Sequence, residues 1–146
     1  MTIAHRIEPD LDLLYLMVLG YCTVGDILDH VKMMDRDPNR RPGMKVVIDL
    51  MHADMDVDLH EVKTAVAHVQ KLQQANWEME PTAFLTRNRM LESLVHAFEL
   101  MVNETIVNTK VFSSLPVALR WLGLAEYTDQ ITELQARLLR EFSPTR

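Results

Sequence analysis

The sequence predicts one α/β domain whose sheet is mixed but mostly parallel. Short apolar segments rich in β-branched residues alternate along the chain with longer segments whose apolar residues recur at helical spacing. This alternation implies right-handed crossover connections and a parallel sheet that helices cover. A length of 146 residues with a 48% hydrophobic fraction suits one domain with a buried core. The predicted order is β-β-α-β-α-β-α-β-α, followed by an extra helix.

The chain begins with a predicted β-hairpin and a helix. Residues 3–7 and 13–19 are apolar runs, and the proline and two aspartates between them favour a turn. Thr23 and Asp26 then form a capping-box pattern in which Asp replaces the usual Glu or Gln. Apolar residues at helical spacing follow, so the first helix is predicted to run to about Asp35.

Three further strand–helix units follow. Residues 45–51 are almost continuously apolar, as expected of a buried parallel strand. The next helix starts after Asp58, which is an N-cap candidate and forms a second capping-box pattern with Glu61. Residues 82–86 and 105–112 are the remaining predicted strands, and each precedes a segment of helical periodicity. Ser113 or Ser114 is the predicted cap of the helix after the last strand, and Gly123 is its predicted C′ residue.

The predicted α/β domain covers residues 1–124, and residues 125–146 form an amphipathic helix and tail. The apolar stripe of this helix consists of Tyr127, Ile131, Leu134 and Leu138. A stripe of this kind must be covered. It either packs on its own domain or forms the contact of a homodimer. Because the preceding elements already account for a closed domain, we expect the homodimer.

Composition excludes several classes of protein. The net charge of -6 argues against nucleic acid as a partner. The longest apolar run is too short to span a bilayer, and the N-terminus lacks the apolar region of a signal peptide. The single cysteine, Cys22, cannot form an intramolecular disulfide. We therefore expect a cytoplasmic protein without integral membrane association.

Motifs of common catalytic and cofactor sites are missing from the sequence. The four glycines form neither a dinucleotide fingerprint nor a P-loop, and no serine lies in a G-x-S-x-G elbow. Cys22 lies at a strand-to-helix turn, where we interpret it as a small apolar filler rather than a reactive thiol. We expect no enzymatic activity and no cofactor.

The most unusual segment is residues 52–60, where every second residue is acidic or a histidine. These residues are His52, Asp54, Asp56, Asp58 and His60. In an extended chain they share one side, within reach of a cation. The segment is not an EF-hand, because Leu59 occupies the place of the required glycine. We interpret it as a solvated acidic loop without a metal, and expect a protein partner at Asp54, Asp56, Asp58 and His60.

Three local signatures resemble the STAS domain, the SpoIIAA-like fold of anti-sigma-factor antagonists, and within it the bacterial STAS/SEC14-type branch. The signatures are Gly20-Tyr21-Cys22-Thr23 with Asp26, Lys45-Val46-Val47-Ile48-Asp49-Leu50, and Lys110-Val111-Phe112 running into Ala118-Leu119-Arg120-Trp121-Leu122-Gly123. The resemblance covers about residues 1–124. It implies a SpoIIAA-like five-stranded sheet with crossover helices, and a non-enzymatic regulatory or protein-interaction module.

The resemblance also concerns phosphorylation. In anti-sigma-factor antagonists, the connection after the central strand ends in a serine or threonine that a partner kinase phosphorylates. Residues 51–59 contain neither, and Asp58 falls at or within one residue of that position. We therefore expect no phosphorylation switch here, and the capping role of Asp58 explains its presence.

The SEC14-type branch suggests an alternative function, a carrier of a small ligand or lipid. Its pocket would lie between helix and sheet and be lined by methionines and Phe98. Arg87 and Arg89 lie where a strand gives way to a helix, and basic residues beside a helix N-terminus can hold an anion. In this alternative they would bind an anionic head group.

Overall fold

A five-stranded mixed sheet forms the centre of the protein. The computed structural model describes residues 2–55, 58–74, 80–101 and 108–143. Its strands are β1 (Thr2–Glu8), β2 (Leu13–Tyr21), β3 (Lys45–Asp54), β4 (Thr82–Leu85) and β5 (Thr109–Phe112). They lie in the order β1-β2-β3-β4-β5, with β1 antiparallel to β2 and the other pairs parallel. The predicted hairpin, the mixed sheet and the central position of the 45–51 strand are confirmed.

Helices cover both faces of the sheet. They are α1 (Val24–Met34), α2 (Leu59–Gln74), α3 (Arg89–Met101), α4 (Leu115–Trp121) and α5 (Thr128–Phe142). Successive residues of β2 point to opposite faces, as in any strand. Leu13, Tyr15 and Met17 join the apolar cluster under α4 and α5. Leu14, Leu16 and Val18 join the cluster under α1. None of the described helices is long and apolar enough to cross a membrane.

The N-termini of α1 and α2 are joined by capping hydrogen bonds. Asp26 N–H donates to Thr23 Oγ1 (3.1 Å), and Thr23 N–H donates to Asp26 Oδ2 (2.9 Å), which confirms the predicted capping box. Asp58 Oδ1 accepts from Glu61 N–H (3.0 Å) and so caps α2. The carboxylate of Glu61 accepts from Val24 N–H (3.3 Å). One acidic side chain of α2 therefore satisfies an N-terminal amide of α1.

The C-terminal helix α5 packs on its own chain, so the apolar stripe that was expected at a dimer contact is already covered within one chain. Ile131 and Leu138 are fully buried, and Leu134 is 5% exposed. They lie in one cluster with apolar residues of β2 and α4, and Tyr127 packs against it. The physical reason is that a largely parallel sheet is apolar on both faces and α4 is only seven residues long. The stripe covers the rest of this face.

The last strand–helix unit differs from the prediction in two details. β5 starts at Thr109, and residues 105–107 of the predicted strand lie outside the described residues. Ser114 occupies the N-cap position of α4, but its side chain makes no capping hydrogen bond. The end of this unit is as predicted, because Gly123 has a φ of +76°, the left-handed conformation expected just after a helix.

Candidate functional site

A cavity of about 330 Å³ lies between the sheet and helices α1, α2 and α3. Its sheet side is formed by alternate residues of β3 and β4, namely Val46, Ile48, Leu50, Thr82 and Phe84. Its helix side includes Ile27, Val31, Val62, Ala65, Leu91, Leu94 and Phe98. The lining is mostly apolar. The volume falls within the range of small-molecule sites, about 300–1,000 Å³.

The cavity exists because α2 and α3 pack on each other more closely than on the sheet. Val62 and Val66 of α2 form an apolar cluster with Leu91 of α3. That cluster is separate from the one formed by β2, β3 and α1. On the opposite face, residues of the sheet, α4 and α5 form one continuous cluster. Within the described residues, the α1–α3 face therefore leaves space for a ligand.

A buried arginine lies at one end of the cavity. The side chain of Arg40 is 8% exposed, and its Nη2 donates to Glu80 Oε1 at 2.6 Å. Arg40 Nε lies 3.7 Å from Asp35 Oδ1, outside hydrogen-bond range, and is buried without a hydrogen-bond partner. Arg41 is exposed and donates to Pro9 O (2.7 Å). Two adjacent arginines of one loop thus have different roles, which the sequence alone does not distinguish.

Two threonines lie at the same end of the cavity as Arg40. Thr82 and Thr109 are opposite each other in the parallel pair of β4 and β5, and both line the cavity. Thr82 Oγ1 donates to Glu80 O (2.9 Å). Thr109 Oγ1 is buried without a hydrogen-bond partner. The amino ends of β4 and β5 therefore form a polar end of an otherwise apolar cavity.

Lys32 and His68 complete the titratable groups near this polar end. Burial lowers the pKa of His68, and the positive charges of Lys32 and Lys71 lower it further. The imidazole is therefore neutral at neutral pH. Lys32 and Arg40 carry positive charge, and Asp35 and Glu80 carry negative charge, so the formal charges around this end balance.

The structure separates the three residues predicted for ligand binding. Phe98 of α3 lines the cavity. Arg87 and Arg89 are exposed and are not part of the lining, so the structure does not bring them to this cavity. They follow the carboxyl end of β4, whereas the polar end of the cavity lies at the amino ends of the strands. Asn88 between them caps α3, because its Oδ1 accepts from Met90 N–H (2.9 Å).

The acidic segment forms a separate, exposed surface. Asp54 ends β3 and lies opposite Tyr21 of β2, and Asp58 and His60 are exposed at the start of α2. Asp56 lies outside the described residues. Within the part of the chain that the structure describes, no three potential ligands lie together in a way that could hold a metal ion.

Cys22 has the properties of a packing residue. Its side chain is 1% exposed and lies in the apolar cluster under α1. Burial, followed by the charge of Asp26, raises its pKa to about 11. A thiol in this state is a poor nucleophile at neutral pH.

A buried polar group on the other face was missed by the sequence analysis. Asp49 is fully buried, and its Oδ2 accepts from Tyr15 Oη (2.6 Å) and Gln135 Nε2 (2.9 Å). Its Oδ1 accepts from Met51 N–H (3.0 Å). The sequence signal for this buried group was one acidic residue, Asp49, inside an otherwise apolar strand. The group links β2, β3 and α5 and lies outside the cavity.

The comparisons with known proteins identify the fold. No protein-family model and no curated protein sequence matches the chain. Among solved structures, it is similar to an uncharacterized protein of the DUF3478 family with a SpoIIAA-like fold, from Shewanella loihica PV-4. The identity is 18%, the TM-score is 0.53, and the match covers 83% of this chain and 92% of that one. The chain has the SpoIIAA-like fold, as its resemblance to STAS domains implies. At this identity the likeness shows the fold alone.

Proposed function

We propose that this protein binds a small apolar molecule in the cavity between its sheet and helices α1, α2 and α3. The observation that carries the proposal is a mostly apolar cavity of about 330 Å³. Protein interiors are close-packed, with few voids larger than a water molecule. The cavity is partly open, so its apolar lining stays in contact with water until a ligand covers it. A bound apolar ligand would restore the missing contacts.

This proposal ranks the carrier alternative above the regulatory module that we expected first from the sequence. It also treats the protein as non-enzymatic. Cys22 is buried with a raised pKa, and Glu80 at the cavity is ion-paired with Arg40. These groups are poorly placed to act as a nucleophile or as a general base.

The test uses one cavity-filling variant and a matched control on the same helix. Ala65 lines the cavity, whereas Ala67 is exposed. The phenyl ring of Ala65→Phe should occupy part of the cavity and keep the apolar dye Nile red from burying the same surface. Each buried methylene group contributes about 0.8 kcal/mol, so loss of the equivalent of two such groups weakens dye binding by at least about tenfold. Ala67→Phe should leave binding unchanged. Fluorescence titration measures both affinities, and native mass spectrometry of freshly purified protein detects a retained ligand. Equal binding by the two variants would contradict the proposal.

A second candidate function is binding of a protein partner at the acidic surface. Tyr21 and Leu59, which are 55% and 51% exposed, lie next to Asp54 and Asp58 respectively. Apolar and acidic groups together suit a partner surface with basic and apolar residues. Asp58→Asn keeps a good N-cap but removes the charge. It should therefore weaken capture of a partner without lowering stability. Asp10→Asn, on the exposed hairpin turn, is the control and should leave capture unchanged. An unchanged captured fraction for Asp58→Asn would exclude a charge role.

A further inference from the structure

We infer that the cavity takes a ligand with an uncharged hydrogen-bond acceptor, such as an ester or ketone carbonyl, at one end of an apolar body. Arg40 Nε and Thr109 Oγ1 receive that acceptor. The inference rests on the proposed function and names its ligand class and recognition groups.

Two hydrogen-bond donors without partners carry this inference. Among the described residues, Arg40 Nε and Thr109 Oγ1 are the buried side-chain polar atoms that make no hydrogen bond. Both residues line the cavity. Buried polar groups in proteins almost always have partners. The guanidinium can only donate and the hydroxyl can donate, so the group that satisfies both is an acceptor.

Both donors lie at the same end of the cavity. Arg40 contacts Glu80 at 2.6 Å, and the backbone oxygen of Glu80 accepts from Thr82 Oγ1. Thr82 is the direct neighbour of Thr109 across β4 and β5. The hydroxyl of Thr82 is thus already engaged, while that of Thr109 remains available. The wall away from this end is apolar, so a ligand enters with its polar group towards Arg40.

The balance of charge favours an uncharged acceptor over a carboxylate or phosphate. Arg40 is already paired with Glu80 through Nη2, and a second carboxylate oxygen, Asp35 Oδ1, lies 3.7 Å from its Nε. An anion would compete with Glu80 for the guanidinium and would lose its hydration in an apolar cavity. A carbonyl oxygen can accept from Nε–H without displacing Glu80 from Nη2.

The experiment measures binding of decane, methyl decanoate and decanoate to the full chain at neutral pH by displacement of Nile red. Wild type should bind methyl decanoate more tightly than decanoate. Thr109→Val keeps the shape of the side chain and removes its hydroxyl. It should weaken methyl decanoate binding by about threefold to tenfold, the worth of one hydrogen bond, and leave decane binding unchanged. Thr64→Val, at an exposed position of α2, is the control and should change the affinity for neither methyl decanoate nor decane.

Two further readouts separate recognition from packing. Thr109→Val should also raise the melting temperature, because it removes a buried hydroxyl without a partner. Arg40→Lys retains the charge beside Glu80 but lacks Nε–H. It should weaken the binding of methyl decanoate without weakening the binding of decane. If wild type binds none of the three probes, the proposed function fails and the inference fails with it. If decane and methyl decanoate both bind and Thr109→Val weakens neither, the inference alone is overturned. Tighter binding of decanoate than of methyl decanoate would overturn the uncharged acceptor.

Discussion

At the scale of single residues, Asp49 shows how one buried carboxyl group connects distant parts of the chain. It accepts hydrogen bonds from Tyr15 on β2 and Gln135 on α5, which is 86 residues away in sequence. Burial, and then the charge of Asp49, raise the pKa of Tyr15. The phenol therefore stays protonated and remains a donor. An acidic residue in an apolar strand signals a buried network, but only the fold reveals its partners.

Gln135→Leu tests this network. The change removes one donor and leaves Asp49 Oδ2 with Tyr15 alone, so unfolding free energy should fall by about 1–3 kcal/mol. Gln130→Leu, at an exposed position of the same helix, is the control and should change stability by less than about 0.5 kcal/mol. Urea unfolding measures both. A loss no greater for Gln135→Leu than for Gln130→Leu would show that the hydrogen bond contributes nothing.

A histidine pair between β1 and α1 predicts pH-dependent stability. His5 Nδ1 lies 2.9 Å from His30 Nε2, so one ring nitrogen donates and the other accepts. Burial, and then the neighbouring His5, lower the pKa of His30 from its usual 6.5. The unfolded chain thus binds the proton more readily, and stability is lost as pH falls below about 6.5. The lowered pKa of His68 acts in the same direction.

His30→Gln should therefore reduce the loss of unfolding free energy between about pH 7.5 and about pH 5.5. His52→Gln on the exposed acidic segment controls for removal of an imidazole. Urea unfolding at several pH values gives the slopes. A slope for His30→Gln as steep as that of wild type would exclude the pair as a source of pH dependence.

At the scale of elements, local signals were predictable and long-range choices were not. The capping box at Thr23 and the turn glycine Gly123 depend on neighbours within a few residues, and both are confirmed. The stripe of α5 predicts a covered face but does not encode which apolar surface covers it. Arg40 and Arg41 look alike in sequence, and only tertiary packing separates the buried one from the exposed one. The cavity similarly depends on how far α2 and α3 stand from the sheet.

The double variant Ile131→Glu with Leu138→Glu tests the packing of α5. Both side chains are fully buried in a single chain, so two unpaired carboxylates would have to be buried or α5 would have to detach. The melting temperature should fall by more than about 10 °C. The molecular mass from light scattering should stay that of wild type. Thr132→Glu, exposed on the same helix, is the control. A halved mass with an intact core would restore the dimer contact.

At the scale of the whole molecule, the two faces of the sheet differ in packing and therefore in local stability. The face under α4 and α5 forms one continuous apolar cluster, whereas the face under α1, α2 and α3 encloses the cavity. Segments with fewer buried contacts open at lower free energy. The binding site on the face under α1, α2 and α3 can therefore admit a ligand by local opening, while the packing of α4 and α5 on the opposite face keeps the sheet folded.

Native-state hydrogen exchange should reveal this difference and its response to ligand. Without ligand, backbone amides of α2 and α3 should exchange faster than those of α5, because opening the cavity side exposes less apolar surface. Methyl decanoate at about 100 times its Kd should slow exchange in α2 and α3 by about 100-fold, since the ligand must leave before these helices open. Amides of α5 should slow less, because their local opening leaves the cavity closed. Mass spectrometry of peptic fragments resolves the helices. Equal protection of both faces without ligand, or an equal response to it, would show that the two faces open as one unit.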